Sequence, residues 1–400
     1  MKMKDNVLDG PYYVYSKNNL SPFGMWPLQS YKKKVLLRTL IYLGCNSVFI
    51  PHVCKAYEVR NNFQYFFICI PSVIFYIHVM LKMACMILNE DKCKELFKQI
   101  KNDFEIYTGE SLRILNKYAE QARKVNRVYV YYFMGTIVAY NTLAFMPLFL
   151  DFLVPLNETR PRIITKHMKY NIKRIENNYF VTTLHGYVFN ILGMMVVVGF
   201  DSLLLSYTQH ACALFQVVRN ELKDTIDKHE IEVTSHAAKD ANSRDVFYQE
   251  VVKVIIKHKH AIEFADLVES TYAVTNLLVI GITLGFITLV EFETVQHKDN
   301  RALGIRFAII TIVELLHILF HNYPGQRIKD HSLRVHQSCY DCEWYREGIT
   351  DECKKLLSFM MLRSQKPSCL TGGGLYVLGM ENYATILKAS LSYFTFLSSV

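Results

Sequence analysis

The sequence predicts an all-α integral membrane protein with seven transmembrane helices, and two observations predict it. Apolar residues, 51% of the 400, gather into separate blocks of about 20, the length needed to cross a bilayer core of roughly 30 Å. The stretches between those blocks alternate long and short, as they do when most of the polar chain lies on one side of a membrane. With only 17 Gly and 10 Pro and 53 aromatic residues (25 Phe, 26 Tyr, 2 Trp), collagen-like, linker-rich and disordered chains are excluded.

Seven spans are placed: Val35 to Cys54, Phe63 to Leu88, Arg127 to Leu153, Phe180 to Tyr207, Phe264 to Glu291, Ala302 to Tyr323 and Leu375 to Leu397. Tyr, His and Lys82 dilute the second and third, and His185 and Asp201 interrupt the fourth. Residues 1–31 are polar and mixed, without the apolar core and small-residue site of a cleaved signal peptide, so the first span is expected to direct insertion. The organisation is then 1–34 as a cytosolic amino-terminal segment, 35–323 as a six-helix bundle with long helical linkers, 324–374 as a cytosolic anchor region, and 375–400 as the last transmembrane helix.

Lys and Arg orient the chain. Thirty lie in the linkers on the amino-terminal side and ten on the other, and Lys32, Lys33, Lys34 and Arg38 crowd one end of the first span. The amino terminus is therefore expected in the cytosol and the carboxyl terminus outside. The net charge of +9 is spread along span ends rather than along one stripe, which argues against nucleic acid. Of the sequons at Asn19 and Asn157, this topology leaves Asn157 as the glycosylation site. The basic cluster beside it, Arg160, Arg162, Lys166, Lys169, Lys173 and Arg174, argues the other way.

The long linkers read as helix. Phe247, Val251, Val254, Ile255 and Ile262 fall on one helical face, with Lys253, Lys257 and Lys259 elsewhere, so the helices are expected to continue beyond the membrane and pack there. The stretch from Trp344 to Arg363 reads similarly.

The last hundred residues carry an ordered run of motifs: Tyr323-Pro324-Gly325-Gln326, Ser332, Cys339-Tyr340-Asp341-Cys342-Glu343-Trp344-Tyr345, Phe359 to Pro367, Leu370-Thr371 with the glycines after it, and Glu381 to Phe394. In these the chain resembles the insect odorant receptor family. The resemblance implies an odorant-gated, nonselective cation channel subunit, assembled as a tetramer with a broadly shared co-receptor and set in the plasma membrane of a sensory neuron dendrite. It also implies that the last span lines the pore, with Ser392, Phe396, Ser399 and Val400 at or near the gate, and that cytosolic helices hold the subunits together. The chain is short for the co-receptor and is read as a ligand-tuned subunit; its partners are then the co-receptor, a small volatile odorant and membrane lipid.

Helical spacing independently puts Ala389, Ser392 or Tyr393, Phe396 and Val400 on one face, where apolar rings from several subunits can close a pore by dewetting. Ordinary helix packing explains the same stripe. Ligand capture falls, by the resemblance, to the outer halves of spans two, three, four and six. These hold Ser72, Val73, Tyr76, Tyr140, Asn141, Phe145, Tyr187, Asn190 and Phe307, ring faces with a few polar tips that suit a mostly apolar volatile molecule.

Charged residues within spans are costly and mark functional hypotheses: Asp201, Glu269, Arg306, Glu314 and Lys388. Arg38, Lys82 and Asp151 lie near span ends, where snorkelling to the interface suffices. His258 and His260 read as solvent-facing. His331, His336, Cys339, Cys342 and Cys353 offer one Cys-x-x-Cys but no tidy second pair, so no metal site is expected. Gly372-Gly373-Gly374 lacks the Lys and Ser or Thr of a phosphate loop and reads as a hinge before the last span; Gly281 and Gly285 are a weak helix-packing pair. No nucleophile elbow, His-Glu-x-x-His or phosphate loop is present, so neither an enzyme nor a cofactor is expected. A G protein-coupled chemoreceptor is the alternative, opposed by the basic flank of the first span and by the absence of Asp-Arg-Tyr and Asn-Pro-x-x-Tyr motifs. A transporter would show an internal repeat or clustered intramembrane acids.

Overall fold

The computed structural model describes residues 10, 12–155, 160, 168–170, 178–234, 241–296, 301–345 and 349–399, apart from the side chains of 63, 64, 141, 143, 144, 230–234, 241–244, 296, 301–303, 305, 306 and 397–399. Helices run in the order α1 (Val14–Leu20), α2 (Tyr31–Glu58), α3 (Phe63–Leu88), α4 (Glu90–Ile106), α5 (Gly109–Leu153), α6 (Tyr179–Thr234), α7 (Ala241–Gln296), α8 (Arg301–Asp341) and α9 (Asp351–Ser364). A two-stranded antiparallel ribbon, β1 (Thr371–Gly372) with β2 (Tyr376–Val377), precedes the last helix, α10 (Met380–Ser399).

Among the described residues, five helices are long and apolar enough to cross a membrane, and six if α5, bent by 65° between Tyr140 and Phe145, counts as one span. They contain the first six predicted spans. The seventh differs: α10 begins at Met380 rather than Leu375, because residues 371–377 are taken up by the ribbon. It is also diluted by Glu381, Lys388 and interspersed Ser and Thr, which keep it out of the apolar set, although 20 residues at 1.5 Å each reach roughly 30 Å.

α6 and α7 are each 56 residues long, more than twice what a bilayer core requires. α6 is the hub, packing along α5, α7 and α8. Beyond the apolar stretches its Ala211, Phe215, Val218 and Leu222 meet the buried face of α7 formed by Phe247, Val251 and Val254. These helices are held by a continuous core rather than by propensity alone.

The amino-terminal segment, which reads as polar and mixed, is part of that core. Trp26 packs on Phe97 of α4 at 4.8 Å between ring centroids, and Phe97 on Tyr207 of α6 at 5.2 Å. Leu20 lies directly over Gly199, where a Cβ would come within 2.7 Å of it. A larger residue there would have to push the Leu20 side chain aside.

The glycine run is not a free hinge. Gly373 and Gly374 adopt φ of 59° and 75° to turn β1 into β2, a region that favours glycine. The Gly373 amide donates to the Ala273 carbonyl of α7 at 2.9 Å, so the ribbon is strapped to that helix. Gly281 and Gly285 face open space, with nothing within 4 Å of an added Cβ.

Candidate ligand cavity and buried charge network

A cavity of about 130 Å³ opens between five helices. Each contributes one stripe at helical spacing: Pro71, Ser72, Ile74, Phe75 and His78 from α3; Thr136, Ile137 and Tyr140 from α5; Asn190 and Met194 from α6; Ile282, Thr283 and Phe286 from α7; Ile309, Ile310, Val313 and Glu314 from α8. Aliphatic and aromatic walls with few polar groups give a ligand burial for affinity and a small number of contacts for orientation.

Of the residues expected to bind ligand, Ser72, Tyr140 and Asn190 come together in this cavity. Val73, one residue on from Ser72, is turned about 100° around α3. Tyr76 is fully buried and packs edge-on to Phe75 at 5.2 Å. Phe145 and Tyr187 contact each other at 5.5 Å instead of lining the space. Phe307 sits one layer behind, clustered with Phe286 and Val290. The side chain of Asn141 lies outside the described residues. The fifth predicted span, not expected to contribute, supplies Ile282, Thr283 and Phe286, and the polar residues His78, Thr136 and Glu314 were not among the expected ligand contacts.

Beside the cavity lies a buried charge network. Lys82 Nζ donates to both carboxylate oxygens of Asp201, at 2.6 and 2.8 Å. The Tyr129 hydroxyl donates to Asp201 at 2.6 Å, and His317 and His321 approach the same carboxylate at 3.3 and 3.2 Å. This corrects the expectation that Lys82 snorkels: its side chain is 0% exposed. Asp201, His317 and His321 bring three ligand atoms close enough together for a metal ion, but the Lys82 ammonium lies 3.4 Å from each imidazole and satisfies the carboxylate. Network and cavity share an edge, since His317 Nδ1 is 3.5 Å from Glu314 and the His317 ring lies 5.3 Å from that of His78.

The remaining charges within spans are structural or open. Glu269 accepts from the Thr371 amide at 2.7 Å and from its hydroxyl, tying α7 to the ribbon. Lys388 is exposed on α10, and the side chain of Arg306 lies outside the described residues. At the base of α2, Arg38 pairs with Glu90 at 2.6 Å, joined there by Lys34. Burial pushes the Glu90 carboxyl up, but the hydrogen bonds from Lys34, Lys94 and Arg38 outweigh it and hold the group at about 2.

His258 and His260 do not both face solvent. His258 is buried against the Phe215 ring, and that burial, with Arg363 nearby, lowers its pKa to about 4. His260 donates to Asp103 of α4 at 2.9 Å, and His210 of α6 donates to the other oxygen at 2.8 Å. Cys339 and Cys353 are fully buried, and Cys342 donates to the Cys339 carbonyl.

On α10, Ile386 packs on Ile287 and Ile318, and Ser390 donates to Glu291 of α7. Ser392 and Phe396 are exposed on other faces of the helix. The Ser399 side chain, Val400 and Asn157 lie outside the described residues.

A family model described as 7tm Odorant receptor matches residues 62–391. The chain is 23% identical to Odorant receptor 10 of Aedes albopictus over 56% of each sequence, and 22% identical to Odorant receptor 13a of Drosophila melanogaster over 78% of this chain and 75% of that one. It thus spans about half the length of the mosquito relative. The odorant receptor coreceptor of Aedes aegypti matches over a shorter stretch, 138 residues at 22% identity, covering 34% of this chain and 28% of that one. The olfactory receptor OR5 from Machilis hrabei, solved in complex with eugenol, superposes over 97% of this chain and 96% of its own with a TM-score of 0.69 at 11% identity, a likeness of fold. With the helical order, the candidate spans and a family match covering most of its length, this chain belongs to the odorant receptor family.

Proposed function

We propose that the chain is the odorant-binding subunit of a ligand-gated, nonselective cation channel. A volatile ligand enters the cavity between α3, α5, α6, α7 and α8 and opens a pore lined by α10. The observation that carries this reading is the cavity itself, apolar-walled with a few polar groups, in a receptor family with a member solved around a small aromatic odorant.

The composition of α10 supports a pore role. Its polar residues are ill suited to lipid but suit a water-filled path, and Leu391, Tyr393 and Phe396 are exposed in the single chain, leaving an apolar surface for neighbouring subunits. Ser392, Phe396, Ser399 and Val400 are assigned to pore and gate, and Ser72, Tyr140 and Asn190 with the other cavity residues to the ligand. The coreceptor is the proposed partner in a heterotetramer, with the amino terminus cytosolic, Asn157 outside and the assembly in the plasma membrane of a sensory dendrite.

The test is whole-cell current in cells expressing the chain with and without a co-receptor, under a panel of volatiles and with G protein signalling blocked. Current that requires both subunits, survives the block and is lost in Ile137→Trp, which fills the cavity, is the expected result. Responses abolished by the block would instead indicate a G protein-coupled receptor.

A further inference from the structure

The cavity lining carries one acidic side chain. Its walls are apolar or aromatic for most of their extent, but α8 contributes Glu314 to the lining, and two other lining residues, His78 of α3 and Thr283 of α7, each carry a buried polar atom, Nε2 and Oγ1, without a hydrogen-bond partner. Buried polar atoms are almost always satisfied, because leaving one unpaired forfeits its hydration without return. Two such residues and an acidic side chain on the lining of one small space make a site whose polar complement arrives with the ligand.

We propose that this cavity is selective for small amines, with the ammonium held by Glu314 and the apolar body packed on Phe75 and Phe286. The inference rests on the reading of this cavity as the ligand site. An ammonium carries three donors and no acceptor, matching a carboxylate, an imidazole nitrogen and a hydroxyl oxygen, each able to accept. Ring faces beside it add cation–π attraction. A charge enters such a place only against an opposite charge, and Glu314 supplies one. The neighbouring cation does not oppose it, because Lys82 is already neutralised by two short bonds to Asp201. Glu314 itself has a weak partner in the chain, His317 Nδ1 at 3.5 Å, which leaves the carboxylate able to accept from a ligand. An alcohol donates once and leaves two of the three acceptors unmet; an ether donates to none.

The experiment is ligand-induced thermal stabilisation of the purified full chain in lipid nanodiscs. The probes are hexan-1-amine and 2-phenylethylamine, their matched alcohols and the matched methyl ethers. The amines are expected to half-stabilise at concentrations at least about tenfold below the alcohols, a gap of about 1.4 kcal/mol. Glu314→Gln should remove that preference, weakening the amines at least about tenfold more than the alcohols, and Glu314→Asp should retain it. Amines no better than alcohols, or a preference that survives Glu314→Gln, overturns the proposal. An unfolding midpoint without ligand close to that of the wild type shows that Glu314→Gln has folded, and the wild-type comparison decides without it. Ile137→Trp separates the two readings: loss of all stabilisation in that variant with no amine preference in the wild type leaves the cavity as ligand site and removes only the amine. Stabilisation undiminished in Ile137→Trp overturns both.

Discussion

Lys82 and Asp201, 119 positions apart in the chain, form a bidentate ion pair at 2.6 and 2.8 Å in the middle of the helical bundle, with the lysine wholly shielded from solvent. Removing either partner strands the other charge, at a cost of about 3–5 kcal/mol. Lys82→Met and Asp201→Asn are each expected to lower the thermal unfolding midpoint of the detergent-purified receptor sharply. The double variant should recover at least half of the summed loss, since no unpaired charge remains. Strictly additive losses would show that the two groups are not energetically a pair.

A second prediction concerns pH at the junction of α4, α6 and α7, where Asp103 accepts from His210 and His260. The bond to Asp103 raises His260 above its ordinary 6.5, with burial opposing and Glu263 adding. Burial pushes Asp103 up, yet the two imidazoles outweigh it and hold it below 3.8. A raised histidine contributes fully below its unfolded pKa and loses that contribution as pH rises through the folded one. A depressed carboxyl contributes above its unfolded value and loses it as pH falls through the folded one. The junction is therefore tightest between about pH 4 and 6.5. The protection factors of amides 100–107 against hydrogen exchange should fall above that window, and His260→Gln should flatten that fall; an unchanged profile in the variant would remove His260 from the account.

Helical spacing locates the buried face of α7 from Phe247 to Val254, because one stripe needs only local periodicity. The family resemblance points to the helices that carry Ser72, Tyr140 and Asn190, but whether a residue such as Tyr76 faces the cavity or its neighbour Phe75 depends on how α3 is rotated against helices far away in sequence. Lys82 reads as a snorkelling residue because only the fold brings Asp201 to it. Likewise His258 and His260 sit among lysines in sequence, while their surroundings come from α4 and α6. The packing of the amino-terminal segment is not legible for the same reason: Trp26 and Leu20 find Phe97 and Gly199 only once the chain has folded.

Glu90 of α4 anchors the base of α2 through Lys34 and Arg38, with Lys94 of α4 itself completing the cluster. Its carboxyl is held at about 2, so this contribution is present above the ordinary 4.5 and lost only as pH falls through about 2. Glu90→Gln should loosen the first turn of α2 at neutral pH, with faster tryptic cleavage at Lys32, Lys33 and Lys34 and little change elsewhere. Equal cleavage rates would mean that the Trp26–Phe97 packing alone holds the segment.

The strap before α10 offers a last test, because it joins the α7 wall of the cavity to the helix proposed to line the pore. Thr371 gives Glu269 two hydrogen bonds, Asn276 donates to the Thr371 carbonyl at 3.2 Å, and Gly373 donates to Ala273. Ile282 and Thr283 of the cavity lie further along that same α7. A Cβ at Gly373 would stand 2.8 Å from Leu277 Cδ2 on a backbone with φ of 59°, so Gly373→Ala combines a close contact with about 1–2 kcal/mol of left-handed strain. Thr371→Val removes one bond from a half-buried carboxylate, costing about 1–3 kcal/mol. Both variants are expected to reach the cell surface, bind ligand as the wild type does and pass less current at saturating odorant. Reduced binding with unchanged maximal current would place the strap in the ligand site's stability and not in its coupling to α10.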